Sequence, residues 1–279
     1  MLSAAALLAL GAVGLAVGFV SGLVGIGGGV LIVPFLYFFY AHPQFAGAEV
    51  PAALQTTVSH ATSLFIIVPT AVIGTITYSR AKVVVWRAAV PVALFSSLAA
   101  VAASQVAPRL DPALLKLVFG SFLVFTAYNM AFGKRAPVSG ELRVSLRLAA
   151  LTGVLVGTFS ALLGVGGGIV AIPLLMRLLH VRLEQVAATS LAIVGAAATA
   201  GAVSYMVSAP ASAGLPPGHI GYVHLTAAVP ILVAAALAVR WGAKVNQRMD
   251  ARKLKLMFAA LFAVLGARLV IQNFGALLT

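Results

Sequence analysis

The pentapeptide Gly25-Ile26-Gly27-Gly28-Gly29 interrupts a long apolar run and is closed by Pro34. The pattern returns as Gly164-Val165-Gly166-Gly167-Gly168, closed by Pro173. Each shared glycine and the proline recurs 139 positions later in a chain of 279 residues, which marks an internal duplication. Four glycines in five positions cannot hold a rigid helix, because each costs about 1 kcal/mol relative to Ala. The pattern therefore predicts, in each half, an apolar segment that breaks at the glycines and restarts as a new helix. Backbone N–H groups at the restart are then left to face a cavity.

Composition sets the surroundings of these breaks. Hydrophobic residues make up 62% of the chain, charged residues 8%, and the mean hydropathy is +1.11. No soluble domain of this size hides that much apolar surface, so the chain reads as an all-α polytopic membrane protein. The net charge of +13 would suggest nucleic acid in a soluble protein. Here the basic residues lie in short loops between apolar runs, as the positive-inside rule expects. The expected partners are the lipid bilayer and a small anionic substrate, with no nucleic acid; a homo-oligomer is left open. Without cysteine there is no disulfide framework and no thiol chemistry. No cofactor is called for. The first charged residue is Glu49, so the first apolar run reads as a membrane helix rather than a cleaved signal.

Ten apolar segments follow in order: 2–24, 30–40, 50–79, 88–108, 112–133, 148–163, 169–180, 184–208, 220–240 and 256–277. The duplication runs through them. Ala61-Thr62-Ser63-Leu64 matches Ala188-Thr189-Ser190-Leu191, Gly74 and Tyr78 match Gly201 and Tyr205, and Pro91 matches Pro230. The repeats span 1–139 and 140–279 within one integral membrane domain. If all ten segments cross and the N-terminus lies outside, the inside loops 80–87, 134–147, 177–182 and 240–255 hold 15 of the 18 Lys and Arg. Five crossings per half make the repeats inverted, with a pseudo-two-fold axis in the membrane plane. The second and seventh segments are too short to span alone, so both breaks are drawn toward the midplane.

A helix N-terminus carries partial positive charge and binds anions. Gly25, Gly27, Gly28 and Gly29, with Gly164, Gly166, Gly167 and Gly168, are accordingly the candidate substrate-binding backbone. Close helix packing is the alternative use of such glycines. The five acids, Glu49, Asp111, Glu141, Glu184 and Asp250, all lie at or near segment ends. That leaves a neutral to positive interior with no carboxylate for a cation. Thr62, Ser63, Thr189 and Ser190 are candidate hydroxyl donors, against the alternative that they bond back to their own helices. His60, opposite Ala187 in the second half, is a candidate for proton coupling or anion contact, and Gln55 is a weaker one. Scattered acids, no metal-ligand cluster and no Lys-Ser/Thr after the glycines argue against an enzyme.

The paired Gly-x-Gly-Gly-Gly-x₄-Pro motifs, each followed by Ala-Thr-Ser-Leu, resemble the TauE/SafE family, the sulfite exporter or toluene-sulfonate uptake permeases. The resemblance covers nearly the whole chain. It implies transport of sulfur-containing anions, such as sulfite and organosulfonates, across the bacterial cytoplasmic membrane. The expectation is a secondary transporter working by alternating access, most simply an exporter. A passive anion channel and an uptake permease are the alternatives.

The inverted arrangement puts 134–147 and 240–255 on the cytoplasmic side together. Cysteines placed at Ser139 and Asn246 should both escape an impermeant reagent in intact cells. Labelling of one without the other would mean parallel halves.

Overall fold

The computed structural model describes residues 4–24, 27–42, 49–132, 141–210, 214–246 and 251–274. Ten α-helices account for nearly all of them. They are α1 Ala4–Val24, α2 Gly29–Ala41, α3 Ala52–Arg80, α4 Trp86–Val106, α5 Pro112–Phe132, α6 Leu146–Leu163, α7 Gly168–Arg177, α8 Leu183–Ser208, α9 Leu225–Asn246 and α10 Ala251–Phe274. A single 3₁₀ turn, Ala107–Arg109, links α4 to α5. A two-residue antiparallel hairpin, β1 His219–Ile220 and β2 Val223–His224, precedes α9. Among the described residues, seven helices are long and apolar enough to cross a membrane. At about 1.5 Å per residue, α2 and α7 reach only roughly 20 and 15 Å, short of the hydrocarbon thickness.

Two expected boundaries are corrected. The ninth segment starts at Leu225 rather than 220, because the hairpin occupies the preceding residues. The tenth starts at Ala251 rather than 256, so much of the basic stretch around Lys244 is helical. The hairpin also explains the changing repeat offset. The first half carries about a dozen extra residues between α2 and α3, and the second half regains them between α8 and α9.

Packing pairs each long helix of one half with a long helix of the other, while α2 and α7 lie against α3 and α8 of their own halves. α1 lies along α9, α4 along α6, α5 along α10 and α3 along α8, while α3 also meets α9 and α8 meets α4. Small residues allow the close approach. A Cβ at Gly18 of α1 would lie 2.1 Å from the Ala235 carbonyl oxygen, and one at Gly157 of α6 would lie 2.0 Å from that of Ser96. These two contacts are related by the same offset of 139. Gly120 and Gly266 face one another between α5 and α10. α3 and α8 form the centre, with Val58, Leu64, Ile67, Leu191, Val194 and Ala198 fully buried. The outer faces carry exposed Leu94, Leu98, Phe125, Val207, Leu237 and Ile271, which in a bilayer meet acyl chains.

The two glycine contacts make a paired prediction. Gly18→Ala and Gly157→Ala should each destabilise the purified protein by about 1–3 kcal/mol, through overpacking against backbone. Gly11→Ala, whose Cβ meets nothing within 4 Å, should leave the melting temperature unchanged or slightly raised. Normal melting of the first two would mean that these helices are not packed this closely.

Candidate functional site

Each half breaks where the glycines predict. Gly28 and Gly167 are the N-caps of α2 and α7, with φ of 79° and 76°. These are left-handed values that a side chain rarely tolerates. The Gly28 carbonyl takes the N–H groups of Leu31 and Ile32, and the Gly167 carbonyl those of Val170 and Ala171. Gly29 and Val30, like Gly168 and Ile169, therefore stand ahead of the hydrogen-bond ladder, and their N–H groups have no partner in their own helix.

The two breaks touch. A Cβ at Gly29 would lie 2.6 Å from Val165 Cα and 2.7 Å from the Gly164 carbonyl oxygen. Ile67 of α3 and Val194 of α8, counterparts in the duplication, cover both breaks. Cβ positions at Gly27 and Gly166 fall 2.8 and 2.9 Å from Val194 Cγ1, and 3.2 and 3.3 Å from Ile67 Cγ2. The space between the breaks is thus filled by two aliphatic side chains. A cavity of about 850 Å³ lies elsewhere, between α3, α4 and α8, lined by Val72, Trp86, Ser97, Gln105, Thr199 and Ser204 among others.

A broken helix also exposes carbonyls at the end of the preceding segment. The Tyr78 hydroxyl donates to the Gly22 carbonyl in the last turn of α1 at 2.8 Å. The Tyr205 hydroxyl donates to the Ala161 carbonyl in the last turn of α6 at 3.0 Å. Ser63 donates to the Gly164 carbonyl at 2.6 Å. The carbonyl side of these breaks is thus satisfied by side chains of α3 and α8.

The expected site residues divide. Gly27–Gly29, Gly164, Gly166–Gly168, Ser63 and His60 come together, a Cβ at Gly164 falling 2.6 Å from His60 Cα. Gly25 lies outside the described residues. Ser190 is fully buried and its hydroxyl has no partner. Thr62 Oγ1 accepts the His224 N–H at 3.0 Å, and Thr189 Oγ1 accepts the Val85 N–H at 3.1 Å while donating to the Gln185 carbonyl. Both threonines thereby tie down the chain just ahead of α9 and α4. Gln55 donates to the Val50 carbonyl at 3.2 Å, near the start of α3 and over a turn from His60. His60 Nε2 is hydrogen-bonded to the Tyr37 hydroxyl.

Ser21 and Ser160 were not singled out from sequence, although they open the two copies of the motif. Their Cβ atoms lie 3.5 and 3.3 Å from Cβ positions at Gly28 and Gly167, and both hydroxyls are fully buried without a partner among the described residues. The shared offset of 139 was the signal that could have found them. The hairpin was missed too. His224 is buried, meets the Tyr40 hydroxyl through Nδ1 at 3.0 Å and the Thr226 hydroxyl through Nε2, and stacks on His219 at 4.2 Å. Burial, and then the neighbouring His219, push its ring down to about 4.

Helices broken in the apolar interior, with N-termini meeting at the break, define a polytopic membrane transporter. The sequence profile of the family described as "Sulfite exporter TauE/SafE" matches residues 10–269. The chain belongs to this family, whose members are transporters and not enzymes. It is 28% identical over 255 residues to a probable membrane transporter protein of Methanocaldococcus jannaschii, covering 91% of each chain. It is 24% identical over 282 residues to the probable membrane transporter protein YunE of Bacillus subtilis, covering 93% of this chain and 96% of that one. A probable membrane transporter protein of Haemophilus influenzae is 26% identical over 261 residues, with the same coverage. No solved structure matches the chain.

The hairpin histidine gives a pH dependence. The folded ring takes its proton near pH 4 and the unfolded one near 6.5, so the unfolded state binds more protons between them. This contribution to stability is complete above about pH 6.5 and is lost as the pH falls toward 4. The melting temperature should drop between pH 7 and pH 5, and His224→Asn should flatten that slope. An unchanged slope in the variant would show that the buried ring does not control acid sensitivity.

Proposed function

We propose that the chain is a secondary transporter that moves a small sulfur-containing anion, sulfite or an organosulfonate, outward across the bacterial cytoplasmic membrane by alternating access. One observation carries the reading: at two touching breaks the carbonyl side is capped by Tyr78, Tyr205 and Ser63, while the N–H side has no partner within its helix. A pair of uncompensated helix N-termini in an apolar interior favours an anion over any cation. Ser21 and Ser160 add one buried hydroxyl donor to each break. The family's description supplies the sulfite class. The substrate reaches one break at a time, as Ile67 and Val194 shift off it.

The two repeats are inverted in this reading. Tyr40 near the end of α2 meets His224 in the connection after α8. Inverted halves put both places on the outer side, whereas parallel halves would set them on opposite sides.

Gly28→Ala and Gly167→Ala should each weaken sulfite binding by a comparable factor. Loss of a contact to a charged group costs about 1.5–3 kcal/mol, or roughly ten- to a hundred-fold in affinity. Ser21→Ala and Ser160→Ala remove only a hydroxyl and should weaken binding several-fold with the melting temperature kept. Variants that melt early yet bind sulfite normally, with both serine variants also binding normally, would make these residues packing elements and overturn the site.

A further inference from the structure

The two halves differ most, near the breaks, in one line of polar residues. His60 lies on α3 against Gly164, its ring bonded to the Tyr37 hydroxyl on α2, and the Lys116 ammonium on α5 lies over the Tyr37 ring, 5.4 Å from its centroid. The corresponding positions in the second half hold Ala187 and Met176 for His60 and Tyr37. Lys116 does have a counterpart, Lys255, so it is the His60–Tyr37 pair that the duplicated scaffold does not account for.

The hydrogen bond to the Tyr37 hydroxyl favours one tautomer of the ring. Among the described residues, His60 Nε2 is the one hydrogen-bond partner of the Tyr37 hydroxyl. A phenol whose only polar neighbour is a ring nitrogen donates to it. The neutral imidazole then carries its proton on Nδ1. That atom is buried in a fully buried residue and has no acceptor among the described residues. A buried donor is ordinarily paired, so this one is an exception that needs an acceptor. Lys116 is the matching charge. The ion pair in the described residues is Arg182 with Glu184, and Lys116 takes part in none. The nearest acid, Asp111 just ahead of α5, accepts the Ala113 and Leu114 N–H groups through one carboxylate oxygen at 2.7 and 3.0 Å. It also acts on the Lys116 charge without forming an ion pair. Among the described residues, the charged and titratable groups around this line are Tyr37 from α2, His60 from α3, Tyr205 from α8, and Asp111 and Lys116 at the start of α5.

We propose that Lys116 and His60 form an oxyanion-binding subsite beside the Gly164 break, in which Lys116 supplies the countercharge and His60 Nδ1–H a directed donor. Tyr37 is the positioning residue, because its hydroxyl sets the tautomer that turns the proton toward the ligand. The ligand class is a small, multiply oxygenated anion of the sulfite or sulfonate kind. The subsite rests on the transporter reading and makes one break chemically unlike the other, so the anion is held more tightly on the α5 side.

Two amide replacements separate the ring's two nitrogens. In His60→Asn the amide nitrogen can occupy the place of Nδ1 and the Tyr37 contact is lost. In His60→Gln the amide reaches the place of Nε2, and the Nδ1 donor is lost. Sulfite titrations of the purified full chain, with melting temperatures recorded alongside, read the difference. The subsite predicts that His60→Gln loses roughly tenfold in affinity and His60→Asn much less. Lys116→Gln should lose a similar factor and flatten the salt dependence of binding, while Lys116→Arg retains both. Equal affinity losses in the two His60 variants, tracking equal losses in melting temperature, would give His60 a structural role and overturn the subsite. So would wild-type affinity in His60→Gln or Lys116→Gln. If Gly28→Ala and Gly167→Ala lose sulfite while these variants do not, the subsite falls and the transporter reading stands. If the wild-type chain binds neither sulfite nor taurine, both fall together.

Discussion

Backbone polar groups must find partners wherever water is absent, and a helix broken inside an apolar protein strands several of them at once. This chain breaks a helix in each half and repairs the damage with side chains from α3 and α8. Tyr78, Tyr205 and Ser63 take up carbonyls at the breaks. Thr62 and Thr189 accept N–H groups where the chain arrives at α9 and α4. That work explains why α3 and α8 are at once polar and buried. A serine or threonine on a lipid-facing helix has only its own carbonyls to bond. Ser59, Thr70 and Thr199 do the same here, but Thr62, Ser63 and Thr189 reach across to other elements. The N–H groups at the starts of α2 and α7, which have no partner in their own helices, gain meaning from everything that was repaired.

Close packing holds the breaks in place. The glycines of α1 and α6 let those helices lie against α9 and α4 at backbone contact, and the same contacts recur in both halves. Each long helix is thereby braced by one from the other repeat, so neither half buries its own faces alone. The insertions escape this symmetry. The extra residues of the first half follow α2, which itself runs three residues longer than α7. Those of the second half include the hairpin, and Tyr40 near the end of α2 bonds His224 of the hairpin. Departures from the duplication are thus gathered near one end of the bundle.

Much of this was legible in the sequence, for reasons that are physical. Apolar length marked the helices, usually to within two or three residues, because in a membrane the burial pattern and the element coincide. The glycine clusters marked the breaks because no helix survives four of them in five positions. The hairpin was read as the start of a helix because His219 to His224 sits between a Pro/Gly-rich loop and an apolar run, and two-residue strands leave no period to detect. The threonines were legible as a pair but not in their role, since a hydroxyl that binds a ligand and one that caps a distant chain look alike until both chains are placed. Ser21 and Ser160 were visible only as motif letters, because burial without a partner is a property of packing. Tyr37 and Lys116 joined His60 through the fold alone, from three helices.

The way the centre is closed bears on mechanism. Ile67 touches Gly27 and Gly29 of one break and Gly166 of the other, and Val194 touches Gly27 and Gly166. Two side chains therefore seal both breaks together. A pore would need both to leave at once, opening two uncompensated helix ends to each other through an apolar wall. A transporter needs less, because a side chain that moves off one break leans further onto the other. Pro34 and Pro173 lie inside the short helices, where each removes an internal hydrogen bond, so α2 and α7 can yield without dismantling the ladder of a long helix. A shared seal set against two soft half-length helices favours exposure of one break at a time, and so favours alternating access over an open channel for this chain.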